Sequence, residues 1–184
     1  MGMLPRFALT LSLAVVAAEV LAAQGNNAHP VHEQTTFNQT EPPLHAVPVS
    51  GDVLKALLKT REAKSGLESA NDSERSNAAQ LFCASEIHLT ASNETDLVVM
   101  GGVGGMSCAE SGWFWVVRSA HKKPQVVLFD RGNSLEVLDS STQGYRDIRI
   151  LYEVPWRTDE HFYHFDRKRY ESWKWEYPPN PNYP

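Results

Sequence analysis

The residues with the most chemical potential lie in one stretch, MGGVGGMSCAESGW over 100–113. Gly102-x-Gly104 after a strand-like run is half of a dinucleotide fingerprint, the other half being a helix whose N-terminus faces the pyrophosphate. Here WFWVV follows, a β-branched and aromatic run, and no Lys-Ser/Thr completes a phosphate loop. Ser107 lies in GMSCA, one residue short of the G-x-S-x-G elbow, which needs a strand-to-helix turn above a parallel sheet. A triad on Ser107 would draw its base from His88, His121, His161 or His164. Glu86, Asp96, Glu110, Asp147 and Asp159 offer carboxylate pairs of the glycosidase kind, at a density ordinary for a secreted domain. His161 and His164 would share a helix face but oppose each other on a strand; the strand reading leaves no shared metal.

Cys83 and Cys108 are the only cysteines. In an oxidising compartment an even pair favours a disulfide, whose loop closure stabilises by about 3–4 kcal/mol. Two cysteines without a paired His motif make a poor zinc site. Five tryptophans and six tyrosines give a notable aromatic surface potential. Alternation puts Trp113, Trp115 and Val117 on one strand face and Phe114 and Val116 on the other, one of these faces being core. Trp156 and Trp173 fall near strand ends and are expected to be exposed, where such rings stack on sugars or anchor a protein partner.

The elements that must position these residues follow from patterning. The first residues carry Arg6, then an apolar run over 7–18, then small residues around Val20-Leu21-Ala22 or Leu21-Ala22-Ala23. This reads as a signal peptide over 1–23, too short for the ~20 apolar residues of a membrane span. Residues 24–48, rich in Asn, Gln, Thr, His and Pro without apolar period, read as a flexible linker. A helix is expected over 50–64, capped by Ser50 or Asp52, with Val53, Leu54, Leu57 and Leu58 as its apolar stripe and Gly66 as its stop. Residues 69–77 read as a polar loop. From Leu81 onward, short strands separated by turn signals indicate an antiparallel β fold. The runs 113–117 and 126–129 are apolar on both faces, as expected of central strands covered by the helix or a second sheet. Arg167-Lys168-Arg169 reads as a solvated hairpin turn, and 176–184 as a disordered Pro-rich tail. The net charge of −5 argues against nucleic acid or an anionic membrane as partner, since both need clustered Lys and Arg.

From Asp96 to about Trp173 the motifs DLVVMGG, the Cys-containing loop before WFWVVR, LEVLDSSTQGYRDI and YHFDRKRY resemble a type of secreted bacterial β-rich domain of uncharacterised function, with weaker likeness to FG-GAP repeat strands. Such domains usually carry TNGY and FDGK; here Gln143 replaces the Asn and Arg167 the Gly. The calcium ligands of the FG-GAP class are missing before Asp96, where the chain reads TASNETD. The resemblance implies fold and export, and no catalytic residues.

The expectation is a mainly β (α+β) chain: an antiparallel sandwich or barrel-like domain over 49–175 with one N-terminal helix. It is expected to be a secreted or periplasmic, non-enzymatic binding module for a protein or polysaccharide, with no cofactor, no metal and no integral membrane association after signal cleavage. Its expected ligand-binding residues are Ser107, Glu110, Trp156 and Trp173, and its expected disulfide is Cys83–Cys108. The alternative is a small secreted hydrolase using Ser107 or a carboxylate pair.

Overall fold

The computed structural model describes residues 33–92, 94–101, 112–119 and 122–179. The signal-peptide reading over 1–23 and most of the Gly-rich stretch, with Ser107, Cys108 and Glu110, lie outside these residues, as does His121.

Ten strands form two five-stranded antiparallel sheets. They are β1 (Thr36–Asn38), β2 (Ala46–Val47), β3 (Phe82–Ile87), β4 (Asp96–Gly101), β5 (Trp113–Arg118), β6 (Gln125–Arg131), β7 (Ser134–Thr142), β8 (Tyr145–Val154), β9 (Arg157–Phe165) and β10 (Tyr170–Glu176). The first sheet runs β1-β7-β8-β9-β10 and the second β2-β3-β4-β5-β6. Within each sheet the runs β3 to β6 and β7 to β10 follow chain order, so the β-run pattern of the sequence maps onto neighbouring strands there, whereas β1 is added beside β7 from far along the chain and β2 is separated from β3 by the helices.

Alternation divides the second sheet into two buried faces. Val98, Met100, Phe114 and Val116 meet Leu135, Ile148, Ile150 and Phe165 of the first sheet in one core. Leu97, Val99, Trp115 and Val117 point the other way into a second core under the helices, with Val53, Leu57 and Ala63. Both faces of WFWVV are therefore core, rather than one. Trp115 is fully buried there; its indole Nε1 donates to Thr60 Oγ1 at 3.1 Å, and Phe82 meets its ring edge-on at 5.7 Å.

The helical region differs from a single helix over 50–64. It forms α1 (Gly51–Leu57), α2 (Arg61–Ser69) and α3 (Asp72–Ser76), followed by a 3-10 turn over Ala78–Leu81. Ser50 caps α1 as expected. The break comes at Thr60, which takes extended backbone as N-cap of α2 while its hydroxyl bonds the Leu57 carbonyl at 2.7 Å. Gly66 is a buried position within α2 rather than its stop. The stretch read as a loop over 69–77 contains α3, started by a capping box in which Asn71 Oδ1 accepts from Glu74 N and Glu74 Oε2 accepts from Asn71 N.

The described part of the segment read as a linker, from residue 33, is built into the fold. Phe37 of β1 is fully buried opposite Leu135, and Glu33 forms an ion pair with Arg146 at 3.0 Å, both side chains under 5% exposed. Arg146 also donates to the Val137 and Leu138 carbonyls. A three-residue edge strand needs only one inward residue, so Phe37 leaves no hydrophobic period to read. The start of the presumed tail is likewise ordered. Pro178 lacks an N–H, but its carbonyl accepts from Thr158 N at 2.9 Å, and Pro179 bridges to Arg157. Residues 180–184 lie outside the described residues.

Candidate functional site

The long strands β6 and β10 are the terminal strands of their sheets and lie side by side along one flank of the sandwich. A cleft of about 550 Å³ opens between them, floored by Val127, Leu128 and Tyr163 and rimmed by Arg169, Glu171 and Ser172. At one end a polar cluster ties the two sheets together. Asp130, the penultimate residue of β6, accepts a hydrogen bond from the hydroxyl of Tyr163 on β9. His161 Nδ1 lies 3.4 Å from the same carboxylate oxygen, while the other oxygen accepts Arg131 N at 2.7 Å. Burial, followed by the adjoining Asp130 carboxylate, pushes the Tyr163 phenol well above its ordinary pKa. Tyr163 therefore stays a protonated donor at neutral pH.

Register explains what stands beside this cluster. His161 pairs with Trp175 across β9 and β10, so the two rings share a face and pack in a tilted pair with centres 4.1 Å apart. The Trp175 indole donates to Ser172 Oγ at 2.5 Å. Tyr152 pairs with Asp159, which alternation places on the same face as His161 and Tyr163. Arg157 belongs to that face too; it forms an ion pair with Asp159 at 2.6 Å and its guanidinium stands 5.0 Å from the Tyr177 ring centre.

This face is buried at Tyr163 and Phe165, against the second sheet, but open beyond Asp130. Tyr152 is 36% exposed, Trp175 54% and Tyr177 51%, and Trp156 in the β8–β9 turn is 63% exposed. The outer three strands of the first sheet thus overhang the second and form an aromatic shelf continuous with the cleft.

Of the residues singled out from sequence, Trp156 is exposed at the shelf end. Trp173 is also exposed but sits on the opposite sheet face, near Phe162 and His164, at a β-bulge between Ser172 and Lys174. No ring contact links Trp156 with Trp173 among the described residues. Cys83 lies on β3 opposite Met100, and no free cysteine occurs among the described residues. His161 and His164 take opposite faces of β9, and no cluster of three or more metal-ligating side chains occurs among the described residues. Two of the carboxylates are tied to the framework. Asp96 is buried and accepts Leu89 N at 3.2 Å and Ser119 N at 2.8 Å; Asp147 accepts Ser140 Oγ at 2.8 Å. Burial raises the Asp96 pKa, against the lowering effect of the two N–H donors.

The residues that sequence reasoning missed are Asp130, Trp175, Ser172, Tyr152 and Tyr177. Alternation in HFYHF and YESWKWE carries part of that signal, since it aligns His161 with Trp175 once the hairpin register is fixed by its turn. Asp130 arrives from the other sheet, which no local pattern reveals. No helix among the described residues is long and apolar enough to cross a membrane. Compared with known proteins, the chain matches no family model, no curated protein and no solved structure, so the likeness the structure carries is that of a β-rich two-sheet domain.

Proposed function

We propose that this protein is an exported, non-enzymatic binding module of the cell envelope or extracellular space, and that its ligand occupies the aromatic shelf and adjoining cleft. The carrying observation is that Tyr152, Trp175 and Tyr177, all exposed, stand beside polar groups already bonded to one another, with Trp156 exposed in the adjoining β8–β9 turn. Large amphipathic rings left in water at one place mark interaction surfaces. Fixed polar partners keep the ordering cost of binding low. The acid–base groups beside the shelf suit this reading better than catalysis, because Tyr163 is held protonated and Asp130 is committed to three donors or neighbours.

Export rests on the N-terminal pattern and on the motifs shared with secreted bacterial β-rich domains. A Cys83–Cys108 disulfide belongs to the same reading. Reduction then lowers the melting temperature, and an unchanged melt after confirmed reduction contradicts the pairing.

The test is retention of material from envelope extracts and culture medium on the immobilised mature chain. Truncating a central aromatic anchor typically costs ~2 kcal/mol or more, so Trp175→Ala should lower retention by at least about tenfold. Equal retention by wild type and variant, or none by either, contradicts the proposal.

A further inference from the structure

We propose that the shelf takes a neutral carbohydrate chain, with sugar faces laid on Trp175 and Tyr177 and hydroxyls bonded to the Arg157–Asp159 pair and His161. This names the ligand class for the binding reading above and rests on it.

Three observations favour a carbohydrate. The exposed large apolar groups of the shelf are all aromatic rings: Tyr152, Trp156, Trp175 and Tyr177. The exposed aliphatic residue Leu44 lies in the 33–48 segment instead. Rings set among charged and hydroxyl groups match a ligand with apolar C–H faces and polar edges. Second, the charges on the shelf are paired within it: Arg157 with Asp159 at 2.6 Å, and Asp130 with the Tyr163 hydroxyl and the Arg131 amide. Planar guanidinium and carboxylate groups held in this way offer directed donors and acceptors without calling for a charged ligand.

Third, the β10 edge is guarded against strand addition by a peptide. It carries a bulge between Ser172 and Lys174, charges at Glu171, Lys174 and Glu176, and Pro178-Pro179 just beyond. Bulges, charges and prolines are the devices that keep a sheet edge from pairing. Trp175 of β10 and Tyr177, one residue past the strand's end and held over the Arg157 guanidinium, are separated by two residues, about 7 Å in extended chain, and the three strands span about 10 Å. This suits a short run of sugar rings lying across the sheet.

The experiment titrates cellohexaose, hexa-N-acetylchitohexaose and mannohexaose into the full mature chain, with an oligogalacturonate as the anionic comparison, following tryptophan fluorescence. Wild type, Trp175→Ala, Tyr177→Ala and Lys174→Ala on the opposite face are compared, each first shown to be folded by its melting transition. Saturable binding of a neutral hexasaccharide is expected, weakened at least about tenfold by Trp175→Ala and Tyr177→Ala and unchanged by Lys174→Ala. Absence of binding by all three neutral sugars at millimolar concentration overturns the inference, as does preference for the anionic one.

A parallel measurement separates this failure from that of the binding reading. Material retained from extracts through Trp175 is treated with protease or with periodate, which cleaves vicinal diols. Sensitivity to periodate alone supports a carbohydrate. Sensitivity to protease alone overturns it while leaving the binding module standing, and no retention overturns both.

Discussion

The Tyr163 hydroxyl donates to the carboxylate of Asp130 across the seam between the two sheets. Tyr163 lies on β9, beside the edge strand β10 of its sheet, and Asp130 on β6, the edge strand of the other. The bond fixes where the second sheet stops covering the first, and so where the shelf begins.

Removing that donor by Tyr163→Phe leaves Asp130 with its backbone and His161 contacts and partial access to water. Stability should fall by about 1–2 kcal/mol, the range for a hydrogen bond to a charged group softened by solvent. Chemical denaturation checks this, and an unchanged unfolding midpoint contradicts it.

Two hairpin turns make a second prediction. Gln143 and Gly144 have φ of 56° and 81°, the paired left-handed conformation of a two-residue hairpin loop, and Arg167 has φ of 86°. The Arg167 turn is held by Asp166, whose carboxylate accepts Lys168 N and Arg169 N at 2.8 Å. Arg167 bears the cost of a β-carbon in a conformation that glycine adopts freely. Arg167→Gly should raise stability by about 1 kcal/mol, despite loss of its exposed bond to Gln143. A lower melting temperature in the variant contradicts this.

The buried Glu33–Arg146 pair makes a third. Breaking one partner of such a pair costs about 3–5 kcal/mol. Arg146 keeps two carbonyl acceptors, so Glu33→Gln should fall near the lower end. Equilibrium unfolding measures it. A loss below ~1 kcal/mol would show that the segment before β1 is no structural part of the domain.

Asp96 makes a prediction about pH. Its folded-state pKa is raised, so the fold prefers its protonated form. That contribution is fully present below the ordinary carboxylate range and is lost as pH rises through the raised value. The melting temperature of wild type relative to Asp96→Asn should therefore decline as pH rises from the ordinary carboxylate range towards neutrality. A relative gain over that interval contradicts the sign.

The antiparallel β class was legible because its signal is local: apolar alternation and turn residues specify strands, and short turns make successive strands neighbours. WFWVV, apolar on both faces, marked a central strand, and it is one. Other features were hidden for physical reasons. Phe37 and Glu33 are single anchors in a polar stretch, with meaning only once β7 and β8 stand beside them. Asn71 to Glu74 carried a capping box, but a helix of one turn has no room for an apolar period. Trp156 and Trp173 were readable as exposed, yet their faces depend on hairpin register and on the bulge in β10. The Asp130–Tyr163–His161 cluster depends on how two sheets overlap, a relation that is not written in any local pattern.

The most direct measurement of the proposed binding shelf is hydroxyl-radical footprinting of the protein, free and saturated with the material it retains. Protection concentrated at Tyr152, Trp156, Trp175 and Tyr177 is the predicted result. Protection centred on Phe162 and Trp173 of the opposite face, with the shelf equally reactive in both states, would contradict it.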